Sequence, residues 1–272
     1  MKRLILSTIA FMFAITANIY SAGKDGWGGG ASDNDFIKAD AGKIILQDGT
    51  LLEPKEFNYD TYDIDNPPVA VVAFERDGKL YGIGLQTEAK LEWAVKKTTG
   101  ENMRFSKTVC RPKVHKVMLE PEANTYTGDI DGSDNWAEIC AADPEGSKYV
   151  SNYPIFNFAE TYGKVHSYSG ELETGWYIPS IAELSNVIRN VFEINRGFKA
   201  IYKIDKKLGI DGISLGCCYW SSSQDAQDAE DAWIIVARSG FLNNATKKSL
   251  RTKDLQVFVL HEFYKPADDI EE

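Results

Sequence analysis

Histidine and cysteine are scarce, which limits the metal and redox chemistry that the chain can support. The 272 residues include three histidines. His115, His166 and His261 are isolated, without an HExxH or other paired spacing, so a zinc site is not indicated. The four cysteines include no CxxC spacing, so the pattern of a thiol oxidoreductase is also missing.

A serine nucleophile also lacks its usual surroundings. Ser221, Ser222 and Ser223 form a run of hydroxyls, but no GxSxG elbow surrounds them. The three isolated histidines supply no base that the sequence can identify. We interpret these serines as hydrogen-bonding residues at a strand edge and the preceding Trp220 as a core residue.

Basic side chains are outnumbered by acidic ones. The chain has 30 basic and 40 acidic residues and a formal net charge of −10. Loss of a signal peptide of residues 1–22 would remove Lys2 and Arg3 and no acid, leaving 28 bases and a charge of −12. This balance argues against a nucleic-acid or anionic-membrane partner. A cationic ligand explains it less readily than an acidic surface in contact with water.

The longest uncharged apolar run is at the start of the chain. Lys2-Arg3 precedes Leu4–Ala17, and Ser21 or Ala22 can stand before a cleavage site. This pattern predicts a secretory signal peptide over residues 1–22, with an apolar region too short for a good transmembrane helix. No later run is apolar enough to span a bilayer. We therefore expect an exported chain that is periplasmic, on the outer surface or secreted.

Export would permit disulfides. Four cysteines allow three pairings, and we favour Cys110–Cys140 because it would close one long polar excursion. A bridge between the adjacent Cys217 and Cys218 would strain the peptide that joins them. We interpret that pair as small buried hydrophobic residues; a redox or copper site is the alternative.

The stretch GWYIPSIAEL, residues 175–184, is the strongest local pattern. Gly175 permits a positive φ, and Pro179 suits the residues just before a helix. Ser180 followed three residues later by Glu183 predicts a capping box. Six apolar residues recur at helical spacing after it: Ile181, Leu184, Val187, Ile188, Val191 and Phe192. We expect one amphipathic helix that reaches about Asn195.

Hairpins and further elements are expected around this helix. Asp48-Gly49 and Asp77-Gly78 each predict a hairpin turn. The remaining expected elements are short helices over Thr87–Val95 and Ser151–Tyr162, a helix over Gly197–Leu208, and strands over Val114–Leu119, Cys217–Ser222, Ala232–Arg238 and Leu255–Phe263.

Strands, then helices, then strands is the order of an α+β fold with a mainly antiparallel sheet. We divide the chain into the signal peptide (1–22), a glycine-rich flexible tether (23–41), a single domain (42–264) and an acidic tail (265–272). We find no repeat of solenoid length and no second composition regime.

The motifs GWYIPSIAEL, YWSSSQ and DAWIIVARSGF, followed by a hydrophobic strand, resemble the Legionella collagen-like C-terminal domain family, particularly exported spirochaete proteins. The resemblance covers nearly all of Lys43–Phe263. It implies a C-type-lectin-like fold, with a twisted antiparallel sheet packed against two or more helices. The chain departs from the family in its ending, LQVFVLHEF, and in the position of its cysteine pair.

The resemblance is specific for a fold and not for an activity. It implies that the stretch 175–184 packs against the Tyr219–Ser223 strand. It also implies structural roles for Trp176, Pro179, Trp220 and Trp233. Formylglycine-generating enzymes share this fold, but their chemistry needs a cysteine pair a few residues apart. Here the pair is adjacent, so we expect a protein that is not an enzyme.

The polar stretches 222–231 and 238–248 are the expected binding surface, because ligands in the related fold bind on the face made by this segment. Variable loops on a rigid sheet are a common basis for recognition. The residues that we expect to contact an extracellular protein or glycan are Gln224, Asp228, Arg238, Phe241, Asn243 and Asn244. The alternatives are solvated loops and a structural, envelope-associated protein without a specific ligand.

Three carboxylates lie within six residues at Asp129, Asp131 and Asp134. Oxygen-rich loops of this kind can hold Ca²⁺. Asp and Gly also favour turns, and Asp134 can begin a helix over Trp136–Cys140. We regard the turn as the main interpretation and calcium as the alternative; no other cofactor is expected.

Overall fold

A computed structural model describes residues 30–32, 35–58, 60–113, 124–202, 212–237 and 241–265. The predicted signal peptide, the predicted strand Val114–Leu119 and residues 266–272 of the predicted tail lie outside the described residues. Within the described ranges, no helix has the length and apolar character needed to cross a membrane.

The described chain is a mixed α+β structure with two sheets. Its strands are β1 (Gly30–Ser32), β2 (Ile44–Leu46), β3 (Leu51–Leu52), β4 (Pro68–Arg76), β5 (Lys79–Gly84), β6 (Glu88–Ala89), β7 (Val109–Lys113), β8 (Thr125–Gly128), β9 (Cys218–Asp225), β10 (Asp231–Val236), β11 (Phe241–Lys247), β12 (Leu255–Val257) and β13 (Leu260–Tyr264).

The larger sheet is organised around β9. Its strand order is β1-β8-β7-β9-β10-β11, and β12 joins by pairing with β9 and β6. β9 pairs antiparallel with β10 and parallel with β7 and β12. Residues 219–225 of β9 are all buried. A strand with neighbours on both sides and no exposed face is the most constrained part of a sheet.

The smaller sheet is antiparallel throughout, with the order β13-β5-β4-β2-β3. Asp77 and Gly78, between β4 and β5, both have positive φ (52° and 75°). This is the two-residue turn that suits the twist of a hairpin. Gly49, between β2 and β3, also has a positive φ of 86°. Both predicted hairpins are confirmed.

Six helices lie within the described residues: α1 (Thr99–Asn102), α2 (Asn135–Ala142), α3 (Pro144–Ser147), α4 (Pro154–Val165), α5 (Ile181–Arg189) and α6 (Val191–Tyr202). Short 3₁₀ turns occupy Val150–Asn152 and Gly170–Glu173. The predicted helix over Ser151–Tyr162 is observed as α4. Helices α1 to α3 lie between residues 97 and 152, and α2 contains the short helix considered over Trp136–Cys140.

The long helix predicted after Ser180 is two helices. It breaks at Asn190, whose side-chain amide donates to the carbonyl of Ala73 at 2.9 Å. The buried face continues through the break at Val191, Ile194 and Phe198, but Phe192, which we placed on that face, is 58% exposed. α6 includes residues 197–202 of the helix predicted over Gly197–Leu208, and residues 203–208 lie outside the described residues.

Strand β4 separates two hydrophobic cores. Val71 and Ala73 face a core shared with α5 and α6, whereas Ala70 and Val72 face a core shared with α4. A strand buried on both faces has a continuous apolar run rather than an alternating one, which explains the sequence VAVVAF at 69–74.

The predicted tether is ordered where the structure describes it. Gly30–Ser32 pairs with β8, and the amide of Ile37 donates to the carbonyl of Glu75 at 2.7 Å. The glycine-rich composition suggested a flexible segment, but pairing with strands from the domain overrides it. The tether prediction is wrong for these residues.

The predicted helix over Thr87–Val95 is also wrong. Glu88–Ala89 forms β6 and pairs with β12, and Lys90 has a φ of 64°. The amides of Trp93 and Ala94 donate to the carbonyl of Lys248, at 2.9 and 3.2 Å. These tertiary hydrogen bonds replace those of a local helix.

Candidate binding site

The stretch 175–184 is fixed directly to β9. The amide of Ser222 donates to the carbonyl of Pro179 at 2.8 Å, and the amide of Ile181 donates to Oγ of Ser223 at 2.9 Å. The contact predicted between GWYIPSIAEL and YWSSS is therefore confirmed. The serine run supplies hydrogen bonds inside the protein, because all three serines are fully buried.

The four residues expected to be structural are buried. Trp176, Trp220 and Trp233 have between 1% and 4% of their surface exposed, and Pro179 is buried. Each indole nitrogen donates to a backbone carbonyl, at 2.7, 2.9 and 2.9 Å respectively. Burial with a satisfied N–H is the arrangement in which tryptophan stabilises a core.

The capping box of α5 is formed and extends beyond the helix. Oγ of Ser180 accepts from the amide of Glu183, whose Oε2 accepts from the amide of Ser180 at 2.9 Å. The same Oε2 accepts from the amide of Gly132 at 2.9 Å, and the Tyr177 hydroxyl donates to Oε1 at 3.0 Å. A local capping residue thus joins the 129–134 loop to the helix.

Arg76 supplies the counter-charge for this carboxylate. Its Nη2 lies 3.5 Å from Oε1 of Glu183 and 3.2 Å from Oδ2 of Asp131, and it donates to the Tyr81 hydroxyl at 3.3 Å. Burial raises the pKa of Glu183 to about 7, and the Arg76 charge opposes that rise. Burial also disfavours the Arg76 charge, but Glu183 and the neighbouring acidic groups together outweigh it, and the pKa of Arg76 is raised.

Asp129 lies in a second polar cluster beside the first. Its Oδ2 accepts from Nδ2 of Asn135 at 2.8 Å, and the same nitrogen donates to Oγ of Ser222 at 2.8 Å. Burial raises the pKa of Asp129 to about 8, against the effect of the Asn135 hydrogen bond. Oδ1 of Asn135 is buried and has no hydrogen-bond partner among the described residues.

The three carboxylates proposed for calcium have different surroundings. Asp129 faces Asn135, Asp131 faces Arg76, and Asp134 is exposed before α2. Oδ1 of Asp129 and Oδ1 of Asp131 each accept an amide two residues later, as in Asx turns. Within the described ranges, no group of three or more acidic, histidine or cysteine side chains is placed to hold a metal ion. The geometry supports the turn interpretation, and the calcium alternative gains no support.

Gln224 is not a surface residue, and its assignment to the binding face is wrong. It is fully buried. Its Oε1 accepts from the amide of Phe105 at 2.6 Å, and its Nε2 donates to the carbonyls of Met103 and Ala229 at 3.1 and 2.7 Å. These bonds fix the connection between β9 and β10.

The other predicted contact residues do not form one patch. Asp228 is in the β9–β10 connection and binds Nζ of Lys247 at 3.0 Å, at the end of β11 that pairs with Asp231. Phe241 pairs with Val236 at the opposite end. Five residues of strand separate these ends, which is about 17 Å.

Phe241, Asn243 and Asn244 remain together on β11, and Arg238 lies outside the described residues. β11 ends the strand order of the larger sheet in the described part of the chain. The expected loop 238–248 is therefore largely a strand, and the predicted surface reduces to the outer strand of this sheet.

The predicted Cys110–Cys140 disulfide is not formed, because none of the four cysteines is in a disulfide bond. Cys110 is buried within β7, whereas Cys140 is half-buried on α2. Cys217 packs against the α5–α6 core and Cys218 against the α4 core. Neighbouring residues of an extended chain point to opposite faces, so the adjacent thiols are directed apart.

Residues 212–216, GISLG, match the GxSxG pattern, and the sequence analysis did not consider them. The nucleophile elbow requires a turn between a strand and a helix. Ser214 instead lies in a turn before β9, and its Oγ accepts from the amide of Gly216 at 3.1 Å. The local structure therefore does not support a nucleophile at Ser214.

The sequence analysis also missed an aromatic cleft between α2, α4 and the 175–178 segment. It has a volume of about 180 Å³ and is lined by Gly132, Ser133, Trp136, Ala137, Phe156, Ala159, Glu160, Gly175, Trp176, Tyr177 and Ile178. Trp136 is half-buried, whereas Ser133 and Glu160 are exposed at the rim. The only sequence signal was a tryptophan directly after a turn rich in aspartate. We call this feature the aromatic cleft.

A larger concavity of about 310 Å³ lies near Lys38, Lys43, Glu53 and Glu193. Its two lysines lie beside its two carboxylates: Lys38 binds Glu193 at 2.8 Å, and Lys43 lies 3.7 Å from Glu53, while Arg196 also lines the concavity. Exposed pairs of this kind are common on protein surfaces and have small energies. The aromatic cleft has more distinctive chemistry.

Comparison with known proteins found no match among protein-family models, curated proteins or solved structures.

Proposed function

We propose that the chain is an exported, non-enzymatic ligand-binding domain with a C-type-lectin-like fold, which recognises a protein or glycan outside the cell. The order of strands, helices and strands supports the fold, as do the motifs that resemble the Legionella collagen-like C-terminal domain family. The hydrogen bonds that join residues 179–181 to Ser222 and Ser223 add support, because they link the two most characteristic motifs.

The observation that carries the proposal is the position of β11 on a rigid sheet. β9 is buried on both faces, β10 pairs with it, and β11 ends the order of described strands. An outer strand can offer both backbone groups and alternate side chains to a partner. Phe241, Asn243 and Asn244 are the contact residues that we retain, because asparagine and aromatic side chains make adaptable contacts.

A protein and glycan array tests this proposal. The mature chain should bind at least one ligand, and replacing Phe241, Asn243 and Asn244 together by alanine should abolish that binding without lowering the melting temperature. Asp228→Ala is the matched control, because Asp228 lies at the other end of the hairpin and should leave binding intact.

Unchanged binding by the triple variant would overturn the β11 assignment. Running the array with calcium and with chelator tests the metal alternative at Asp129, Asp131 and Asp134. A chain that binds nothing would favour the second candidate, a structural envelope-associated protein. That candidate is favoured because the polar side chains of Arg76, Glu183 and Gln224 bind other groups of the same chain and are not directed to a ligand.

A further inference from the structure

We propose that the aromatic cleft binds the cationic side chain of a lysine or arginine presented by a partner polypeptide. In this arrangement Trp136 is the platform for the cation and Glu160 is the counter-charge at the rim. The site is separate from β11, so it goes beyond the function proposed above and can fail or succeed independently.

The Trp136 ring is held in place before any ligand arrives. It stacks on Phe156 with ring centroids 5.2 Å apart and planes at 19°, and it meets the edge of Tyr153 at 5.4 Å. The Tyr153 hydroxyl donates to Oδ2 of Asp143 at 2.5 Å, which fixes that ring as well. A preformed aromatic surface loses little conformational entropy on binding.

The charge of the lining favours a cation. Among the described residues, Glu160 is the only acidic residue in the lining, and none of those lining the cleft is basic. Tyr177 has the other ionisable side chain, and its hydroxyl is engaged with Glu183. An aromatic face with a carboxylate at its edge is a favourable setting for an ammonium or guanidinium group.

The size and polarity of the cleft argue against a saccharide. A volume of about 180 Å³ is below the roughly 300 Å³ at which sites for drug-sized ligands begin. It suits one side chain. The exposed polar side chains of the lining are Ser133 and Glu160, at the rim, whereas a sugar ring needs several convergent hydrogen-bonding groups.

Below about pH 7, the same aromatic cluster already holds the ammonium group of Lys248 inside the protein. Nζ of Lys248 lies 4.6 Å from the centroid of the Trp93 ring and 4.7 Å from that of Phe105. Trp93 packs edge-on against Phe156 at 5.0 Å, and Phe156 is the ring beneath Trp136. One side of the cluster thus binds an internal cation, and the other side opens to solvent at the cleft.

The test uses small probes and the Trp136 indole N–H resonance in a two-dimensional NMR titration. Nα-acetyl-lysine methylamide and its arginine analogue should shift this resonance at millimolar concentration. The neutral norleucine analogue, which keeps the alkyl chain, should bind at least fivefold more weakly. Methyl glucoside and methyl galactoside should cause no saturable shift.

Variants separate the platform from the counter-charge. Because Trp136→Ala removes the reporter, its binding is followed through the Trp176 indole N–H, and affinity for the basic probes should fall at least tenfold. Glu160→Lys should abolish binding and Glu160→Gln should reduce it about threefold. Glu88→Gln, an exposed acid outside the cleft, should change nothing. The Phe241, Asn243 and Asn244 triple variant should also retain cleft binding.

Three results would each overturn the proposal. These are equal affinity for the neutral and basic probes, a preference for the saccharides, and unchanged binding by Glu160→Lys in a variant that keeps the wild-type melting temperature. The Glu160 variants decide the matter if Trp136→Ala lowers the melting temperature, because Glu160 is exposed and makes no contribution to the core.

Discussion

Two cationic side chains are buried in the described part of the chain, and their surroundings differ in kind. Arg76 and Lys248 have 6% and 0% of their surface exposed. Arg76 lies beside the carboxylates of Glu183 and Asp131. Lys248 instead lies between two aromatic rings, and its Nζ donates to the carbonyls of Gly100 and Met103 at 3.1 and 2.8 Å.

The difference shows in their proton affinities. Burial disfavours the charge of Arg76, but Glu183 together with the other acidic groups beside it outweighs burial and raises the pKa of the guanidinium, so Arg76 stays charged. Burial, and to a smaller extent the nearby charge of Arg104, lowers the pKa of Lys248 to about 7. Aromatic rings and backbone carbonyls can therefore surround a lysine amine, but they do not keep its pKa high as a neighbouring carboxylate would. A buried cation keeps its charge only when a full opposite charge shares its site.

Removing the paired cation should have the largest effect. Arg76→Met leaves Glu183 and Asp131 without their counter-charge and should lower the free energy of unfolding by about 3–5 kcal/mol at pH 8. Urea unfolding measures this loss. The Arg76→Met, Glu183→Gln double variant should recover part of it, since no ionised carboxylate then remains on the cap. A loss below about 1 kcal/mol for the single variant would mean that solvent already screens the pair.

Replacing Lys248 should change the pH dependence of the free energy of unfolding. The folded pKa of Lys248, about 7, is below its ordinary 10.5, so above pH 7 the unfolded chain keeps a proton that the folded chain has released. Stability should rise with pH between about 7 and 10, by up to about 1.4 kcal/mol per unit. Lys248→Met should remove this rise.

The adjacent Lys247→Met is the matched control for that measurement. Lys247 is exposed and pairs with Asp228, Glu230 and Asp231. Its carboxylate partners raise its pKa, so it stays protonated across the window. The increase in stability between pH 7 and 10 should persist in this variant. If it disappears, the increase does not arise from Lys248.

The smallest expected change in stability is that of Asp129→Asn, beside the Arg76 network. Burial places the pKa of Asp129 at about 8, above its ordinary 3.8, so the folded chain holds a proton that the unfolded chain loses. Stability should fall as pH rises from about 4 to 8. Asp129→Asn should cost about 1 kcal/mol at pH 4, because one hydrogen bond is lost. Above that pH the cost should shrink and then reverse, because only the wild type loses stability through ionisation of Asp129.

Chemical unfolding across pH 4–8 measures this trend. Asp77→Asn is the control, because Asp77 is exposed in a turn whose positive φ asparagine also tolerates. A cost for Asp129→Asn that is constant with pH would show that Asp129 ionises normally.

Local patterns predicted the parts of the fold that local interactions determine. The capping box, the two hairpin turns and the α4 spacing each depend on residues a few positions apart. The contact between residues 175–184 and β9 was also predicted, but from the resemblance of the two motifs. The fold class followed from the order of the elements.

The sites were less predictable, because distant residues determine their burial. Gln224 lies in the polar string SSSQDAQD and was assigned to the surface, yet backbone groups about 120 residues away satisfy its amide. Lys248 follows another lysine and shows no local sign of burial; its two rings come from residues 93 and 105. A polar residue becomes buriable only when tertiary structure supplies its partners.

The extended contacts of Glu183 have a consequence for folding kinetics. Gly132, which donates to this carboxylate, is 51 residues away along the chain, and Arg76 is further still. The hydrogen bonds between Ser180 and Glu183 can form with the first turn of α5. The contacts of Glu183 with Gly132 and Arg76 can form only after the long intervening segments have been brought together. Interactions completed after the transition state slow unfolding and leave the folding rate nearly unchanged. We therefore expect the distant contacts of Glu183 to slow unfolding and so to lengthen the lifetime of the folded state.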